Sequence, residues 1–420
     1  MIKPNYNRTR HACYYAYLAL TSIFALPPLL YESFHRMYGI SYTLLGSLAL
    51  LNFVTQLSVD FIFSLFSKHF NIKLTLRTMP LLTSAGLLLY TLIPMLLPQY
   101  AYWGMALGTV VFSISAGLSE VLLSPTVAAL PSDNPERDMS ILHSLFAYGV
   151  LMVVTVSSVY LHIFGGENWM YLALFWAVLP LGTSVLFFIA PIPELNMDQQ
   201  AKEKSPGGRN WKFALLFACI FFGSAAENTM SNWGSSFLES ALSLPKFLGD
   251  IGGMAMFAVL LGIGRTVYAK YGKNIHKVLL FGMIGATVCY LAAATVTQPL
   301  VALFACAFTG ICTSMLWPGA LIYMEETVPN PGVAAYALMA AGGDLGAAVA
   351  PQLLGVVIDG VSNSSWAPQF ATKLSLTTEQ LGMKTGMLLA AVFPVLGIIT
   401  LCICKKKLAV QSLPGASFHL

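Results

Sequence analysis

Twelve long apolar runs follow one another along the sequence, and they limit the folds open to this chain more than any other feature. A bilayer-spanning helix needs about 20 mostly apolar residues, because its backbone must satisfy its own hydrogen bonds inside the hydrocarbon. Only 10% of the 420 residues are charged and 57% are hydrophobic, whereas soluble domains carry about 25% charged residues. The sequence therefore predicts an all-α membrane protein with spans at 12–33, 41–66, 74–97, 101–124, 140–163, 169–191, 211–238, 247–269, 278–297, 299–323, 332–358 and 383–404.

The basic residues are unevenly divided between the two sides of these spans. If the N-terminus is cytoplasmic, the outer segments hold only Arg36, Lys246, Lys373 and Lys384, and nearly all other Lys and Arg residues fall in the inner segments. Cytoplasmic loops of membrane proteins carry an excess of Lys and Arg. The sequence thus predicts cytoplasmic termini and insertion in the plasma (inner) membrane.

A polar stretch at 193–210 separates six spans from six, and short motifs recur in order on its two sides. Leu-Ser-Pro125 in span 4 is matched by Leu-Trp-Pro318 in span 10, and Ala147-Tyr-Gly149 by Ala341-Gly-Gly343. Parallel repeats of this kind place the substrate site at mid-membrane between the repeats. We therefore predict two pseudo-symmetric six-helix bundles, at 1–192 and 211–420, joined by a cytoplasmic linker at 193–210.

The region around spans 4 and 5 carries a family resemblance. It contains Ser119-Glu120-Val-Leu-Leu-Ser-Pro125 and then Leu142-His143-Ser-Leu-Phe. With the twelve-span duplication, this pattern resembles the major facilitator superfamily, and the resemblance covers essentially the whole chain. Within that family the stretch is similar to the fucose:proton symporter branch, in which an acid in span 4 precedes a proline. The resemblance implies the major facilitator fold and a proton-binding role for Glu120.

Acidic residues within the spans are the candidates for ion coupling. Charged side chains at membrane depth are costly and usually mark ion or substrate pathways. We predict proton-coupling roles for Asp60, Glu120 and Asp344. Arg265 is the only basic residue well inside a span, and it is a candidate gate partner for Asp60. The alternative is that these residues form static polar contacts between helices.

Polar and aromatic side chains in the spans are the candidates for substrate contact. Span 7 carries several of them within two turns, which suits a ligand that both donates and accepts hydrogen bonds. Aromatic rings would supply flat apolar faces for a sugar or glycoside. The predicted substrate-binding residues are Tyr31, Asn52, Gln56, His143, Glu227, Asn228, Asn232, Trp233 and Trp317. The alternative for the aromatic residues is core packing or an interfacial belt.

These features favour a secondary transporter, namely a proton symporter for a small neutral polar solute such as a sugar or glycoside. Two alternatives within the class are an exporter of lipophilic or cationic organic compounds and an uncoupled uniporter. A membrane enzyme is disfavoured because the sequence lacks the metal-binding, nucleophile and phosphate-loop motifs. We expect no cofactor, no metal and no nucleic-acid partner. The expected partners of the monomer are its solute, protons or another cation, and the bilayer.

Overall fold

The computed structural model describes residues 5–66, 69–133, 135–193, 195, 210–328 and 333–408. Within these residues, twelve helices are long and apolar enough to cross a membrane. They are Asn7–Tyr38, Tyr42–Phe63, Ile72–Leu96, Pro98–Ala128, Arg137–Phe164, Gly166–Ile189, Trp211–Ala241, Lys246–Tyr271, Ile275–Thr295, Pro299–Thr327, Ala335–Ser362 and Thr378–Lys407. The twelve predicted spans are confirmed. The predicted linker lies almost entirely outside the described residues, so the domain boundaries stay a prediction.

Successive spans run in opposite directions, so an even number of crossings brings both ends of the chain to one face. We call this the terminal face and the opposite one the distal face. Odd-numbered spans run from the terminal to the distal face, and even-numbered spans run back. The depth of any residue in the structure follows from its position along its span, at about 1.5 Å per residue.

Close helix contacts hold the first six spans together, and glycines make the tightest of them possible. Spans 3 and 4 approach so closely that a Cβ on Gly86 would lie 2.5 Å from the backbone nitrogen of Phe112. A Cβ on Gly108 would lie 2.5 Å from the backbone nitrogen of Tyr90. Small residues allow this approach in membranes, where packing rather than the hydrophobic effect drives helix association.

The glycines of span 11 allow the same close approach of helices in the last six spans. A Cβ on Gly342 would lie 2.8 Å from the ring of Phe217, and one on Gly346 would collide with the carbonyl oxygen of Phe221. Span 11 therefore packs tightly on span 7. The same span also contacts span 2, while span 1 contacts span 7 and span 5 contacts span 8. These three pairs lie at the interface between the first six and the last six spans.

Span 10 is broken, which differs from the continuous helix predicted at 299–323. It consists of Pro299–Thr313 and Leu316–Thr327. Pro318 has no N–H, so it cannot donate to the carbonyl oxygen of Ser314 four residues earlier. The break and the freed carbonyl lie on the side of span 10 that faces span 8, where Arg265 binds that carbonyl oxygen.

Span 7 ends in a π-helical turn at Phe237–Ala241, and spans 8 and 12 also depart from continuous α-helix. Span 8 begins with the short helix Lys246–Leu248 and a π-helical turn at Gly249–Ala255, and it continues as Met256–Tyr271. Span 12 consists of Thr378–Ala390 and Val392–Leu408. π-Helical turns frequently occur at functional sites, and those of spans 7 and 8 contain Glu239 and Asp250.

Candidate functional site

Three polar groups lie one below another along the interface between the first six and the last six spans. An acid cluster lies towards the terminal face, a small pocket lies near mid-membrane, and a charged network lies at the distal face. Each group contains residues from both sets of spans.

The acid cluster contains Asp60 of span 2, Glu120 of span 4 and Asp344 of span 11. One carboxyl oxygen from each residue lies within 4.8 Å of the other two. Asp344 is buried, Asp60 is half-buried and Glu120 is exposed. Asp60 Oδ1 and Asp344 Oδ2 are buried atoms with no hydrogen-bond partner among the described residues. The sequence identified these three acids separately, and the fold brings them together across the interface.

The polar face of span 2 leads from the acid cluster to mid-membrane. Asn52, Gln56 and Asp60 follow at four-residue steps, so they share one side of the helix. Gln56 Nε2 donates to Asn52 Oδ1 at 3.0 Å. Ser113 of span 4 shares its single hydroxyl hydrogen between the same oxygen and the carbonyl oxygen of Thr109, each at 2.6 Å. Gln56 thus holds the Asn52 side chain in place, and Asn52 rather than Gln56 lines the pocket.

The central pocket has a volume of about 100 Å³ and two chemically different walls. Its apolar wall comes mainly from spans 1, 2 and 5, including Phe24, Phe53 and Phe146. Its polar side chains come from span 2 and span 7, namely Asn52, Glu227, Asn228, Ser231, Asn232 and Ser235.

Hydrogen bonds fix the orientation of the span 7 side chains. Asn228 Nδ2 donates to the carbonyl oxygen of Ser224 at 3.1 Å, and Asn232 Nδ2 donates to the carbonyl oxygen of Asn228 at 2.8 Å. The hydroxyl of Ser235 donates to Asp250 Oδ1. Four predicted substrate-binding residues, Asn52, Glu227, Asn228 and Asn232, therefore lie on the pocket wall.

Arg265 is paired differently from the prediction. Its Nη2 lies 3.3 Å from Glu227 Oε1, and its Nε donates to the carbonyl oxygen of Ser314 at 3.0 Å. The break in span 10 frees that carbonyl, which anchors the guanidinium beside span 7. Asp60 instead belongs to the acid cluster, so the described contacts replace the predicted Arg265–Asp60 pair with Arg265–Glu227.

The aromatic residues that were predicted to contact the solute instead pack within the protein in this conformation. Trp233 is fully buried and its Nε1 donates to the carbonyl oxygen of Pro351 at 2.9 Å. Its ring centroid lies 5.4 Å from that of Tyr31 and 5.9 Å from that of Tyr42. Trp317 packs over Gly343, where a Cβ would collide with its indole nitrogen. The structure thus places Tyr31, Trp233 and Trp317 away from the central pocket.

His143 is the remaining predicted substrate residue. It lies on span 5, and its side chain falls outside the part of the structure that is described. Its predicted role therefore stays a prediction.

The distal network joins spans 1, 7 and 8 and was not predicted. It consists of Glu32, Arg36, Glu239, Lys246 and Asp250. Arg36 bridges Glu32 at 2.7 Å and Glu239 at 3.0 Å. Lys246 Nζ lies 3.6 Å from Glu239 and 3.5 Å from Asp250. Opposite charges thus join the first six spans to the last six.

Further hydrogen bonds reinforce this connection. Lys246 Nζ donates to the carbonyl oxygen of Leu29 in span 1 at 2.5 Å, and Ser158 of span 5 donates to Asp250 Oδ2 at 3.0 Å. Asp359 of span 11 accepts from the N–H groups of Tyr42 at 3.2 Å and Thr43 at 2.6 Å. A carboxylate at a helix N-terminus satisfies donors that the helix cannot pair itself. The distal face is therefore closed by contacts between both sets of spans.

A sequence signal for this network was present. Glu32 and Arg36 are four residues apart on a helix, as are Lys246 and Asp250, and oppositely charged side chains at this spacing are neighbours. All four lie near span ends, where charges are ordinarily solvated. Only the fold shows that the two pairs share Glu239.

Comparisons with known proteins agree with this architecture. The model of the Major Facilitator Superfamily matches residues 12–351. A search of the curated proteins by sequence finds no match.

Solved structures with the same fold include transporters of several kinds. A bacterial homolog of the human lysosomal transporter Spinster, inward-facing and occupied, has a TM-score of 0.79 at 12% identity, covering 99% of this chain and 100% of that one. A D-xylose–proton symporter has a TM-score of 0.70 at 16% identity, with 92% and 97% covered. A variant of the fucose:proton symporter of E. coli has a TM-score of 0.57 at 13% identity, with 94% and 98% covered. At these identities the similarity concerns the fold, and function must be argued from the site.

Proposed function

The chain belongs to the Major Facilitator Superfamily, and from that premise we propose that it is a proton-coupled symporter of a small neutral polar solute of the sugar or glycoside class. In this proposal the solute binds in the central pocket. Protons bind in the acid cluster. The two sets of spans then rock about the pocket and open each face in turn.

The observation that carries the proposal is the acid cluster. Three carboxyl groups whose oxygens lie within 4.8 Å repel one another when all are charged, and a proton shared between two of them replaces repulsion with a hydrogen bond. Because Asp344 comes from the last six spans and Asp60 and Glu120 from the first six, protonation changes the force between the two sets. Proton binding is thereby linked to the movement that transport requires.

The exposure of charged side chains within the spans supports an assignment of the face from which protons reach the acid cluster. Glu120 is exposed although it lies within span 4, and its carboxyl group faces Asp344 across the interface. The Arg265 side chain is 35% exposed, also within a span and towards the terminal face. These exposures support access from the terminal face while the distal network is closed. With the bias of Lys and Arg residues, we place the terminal face in the cytoplasm and the protein in the plasma (inner) membrane, as a monomer.

The central pocket supports a polar solute with a flat apolar side. Amide, hydroxyl and carboxyl groups of span 7 face phenyl rings of spans 1, 2 and 5. Ligand pockets commonly combine an apolar lining with a few oriented polar groups. A sugar ring matches both walls, because its hydroxyl groups bind the polar side and its C–H face packs on aromatic rings.

One observation favours a second candidate, the exporter of lipophilic or cationic compounds. Glu227 Oε2 is buried without a hydrogen-bond partner in the described part of the chain, and Glu227 lines the same pocket as the phenyl rings of spans 1, 2 and 5. An organic cation would satisfy that oxygen and stack on the rings.

The test measures solute accumulation by Glu120→Gln in sealed proteoliposomes. The wild type should accumulate a sugar or glycoside when a proton gradient is imposed. Glu120→Gln should lose accumulation and keep downhill exchange, because the amide cannot release a proton. Glu326→Gln is the control, since Glu326 is an exposed acid of span 10 outside the cluster.

The other outcomes separate the alternatives. Accumulation by Glu120→Gln equal to the wild type would refute proton coupling at this residue. A wild type that only equilibrates the solute would support the uniporter, and gradient-driven loss of lipophilic cations without sugar uptake would support the exporter.

A further inference from the structure

The central pocket presents hydrogen-bond acceptors on its span 7 wall, and we propose that it selects solutes by the donors they carry on one edge. This inference rests on the proposed function, because it concerns the solute bound in the same pocket. It names the class as ring compounds with several free O–H or N–H groups along one edge and an apolar opposite face.

The two amides of span 7 establish the polarity of the wall. The acceptors of Asn228 Nδ2 and Asn232 Nδ2 include backbone carbonyl oxygens, at 3.1 and 2.8 Å. A carbonyl oxygen only accepts, so these partners fix which amide atom is nitrogen. Both amide nitrogens are turned to the helix backbone. Each residue therefore offers its Oδ1 to the pocket, and neither oxygen has a partner in the part of the chain that the structure describes.

Ser235 also presents a hydrogen-bond acceptor to the pocket, but for a different reason. Its only hydrogen is donated to Asp250 Oδ1, and its oxygen lies 3.4 Å from Lys246 Nζ. A hydroxyl group has one donor and two acceptor lone pairs. One lone pair of Ser235 Oγ therefore remains for the pocket, and the hydroxyl can bind only a donor without breaking its bond to Asp250.

Glu227 adds a fourth acceptor. Its Oε1 is bound by Arg265 at 3.3 Å, and its Oε2 is buried with no hydrogen-bond partner among the described residues. A buried acceptor without a donor costs free energy. A solute O–H or N–H group that reaches this oxygen removes that cost, whereas an ether or a methyl group does not.

The rest of the pocket offers few donors in return. Asn52 Oδ1 already accepts from Ser113 and Gln56, which leaves Asn52 Nδ2 as a donor, together with the hydroxyl of Ser231. The facing rings of spans 1, 2 and 5 offer neither donors nor strong acceptors. A solute whose oxygens are all methylated would therefore leave the four acceptors of span 7 unsatisfied.

The experiment compares matched solute pairs for binding to the purified full-length protein. The probes are methyl glucoside and myo-inositol, each with its fully O-methylated derivative, which carries no O–H or N–H donor, and thermal stabilisation reports binding because a ligand of the folded state raises the melting temperature. At least one free-hydroxyl probe should bind about tenfold or more tightly than its methylated partner, since each unsatisfied buried acceptor is costly. The gap should shrink in Asn232→Ala.

Asn363→Ala is the matched control for that variant. Asn363 Nδ2 donates to the carbonyl oxygen of Asp359 at 2.9 Å, four residues earlier, as Asn232 does to Asn228. It lies at the distal end of span 11, outside the pocket, so its replacement should leave the preference unchanged. The selectivity ratio is read from folded protein only, and Asn232→Asp, which keeps an acceptor, should retain the preference if Asn232→Ala fails to fold.

Any other result overturns the donor rule, including equal binding of both members of every pair and binding of no probe. The outcome is separable from the proposed function. Donor-dependent binding without gradient-driven uptake would refute the symporter and leave the donor rule standing. Gradient-driven uptake of a methylated probe would refute the donor rule and leave the symporter standing.

Discussion

Replacing Lys246 by methionine removes one of the two cations of the distal network, together with its bond to the carbonyl oxygen of Leu29 in span 1, and keeps an unbranched side chain of similar length. Asp250 would then lose its nearest cation. Its side chain is 0% exposed, and that of Lys246 is 18% exposed. A buried carboxylate left without its cation costs about 3–5 kcal/mol. Because Lys246 is partly exposed, we take about 3 kcal/mol, the lower end of that range.

This cost applies to the conformation with the distal face closed. When the distal face opens, water reaches Asp250 and most of the cost disappears. At 1.4 kcal/mol per factor of ten, the equilibrium shifts roughly 100-fold towards the distal-open conformation. A distal-open state populated at about 1% in the wild type would rise to about half of the molecules.

Spin-label distances report this shift directly. Leu97 lies between spans 3 and 4, Leu374 lies between spans 11 and 12, and both are exposed at the distal face. Cysteines at these positions, in a background without the exposed Cys402, should give one distance in the wild type and a second, longer distance in Lys246→Met.

Lys384→Met is the control for this experiment. Lys384 Nζ donates to the carbonyl oxygens of Ala294 and Val296, which belong to the same six spans, so its loss should not separate the two sets. A distance distribution unchanged by Lys246→Met, or changed equally by Lys384→Met, would refute the reasoning.

Three further substitutions test other parts of the structure. Asp344→Asn should abolish proton-driven accumulation and keep solute exchange in proteoliposomes, because it removes the only acid that the last six spans supply to the cluster among the described residues. Gly86→Val should lower the melting temperature, since its Cβ would lie 2.5 Å from the nitrogen of Phe112 and overpacking costs about 1–3 kcal/mol or more. Trp233→Phe should cost at least about 1 kcal/mol, through the lost bond to Pro351 and the space left by the smaller ring. Because Trp233 does not line the pocket, that variant should keep wild-type solute affinity in a binding titration.

The twelve spans were predictable because hydrocarbon permits few backbone solutions, and each leaves a long apolar run. Each acid was predictable individually, because a charged residue within a span is easily recognised in a sequence with so few charged residues. Their meeting within 4.8 Å was not. It depends on how span 11 crosses spans 2 and 4, and no local pattern encodes that crossing.

The partner of Arg265 illustrates a different limit. Sequence reasoning named it as a gate partner for Asp60 because it is the only basic residue well inside a span. The structure pairs it with Glu227, and the cause is the break in span 10 at Pro318, which frees the carbonyl oxygen of Ser314 as a second acceptor. Pro318 was visible in the sequence, but its consequence lies on a neighbouring helix.

When fully charged, the acid cluster pushes the two sets of spans apart, whereas the ion pairs of the distal network hold them together. This difference supplies the proposed coupling. Charges 4.8 Å apart repel by about 3.5 kcal/mol at an effective dielectric constant of about 20. Three charged carboxylates would therefore contribute about 10 kcal/mol of repulsion, which is similar to the whole folding free energy of a domain, about 5–15 kcal/mol. One bound proton removes two of the three repulsions, so it favours approach of span 11 to spans 2 and 4. The ion pairs of the distal network need no proton to attract. Proton binding at the cluster therefore strengthens only the contact at the terminal face. When the two sets of spans rock about the central pocket, closing of that contact accompanies opening of the distal network.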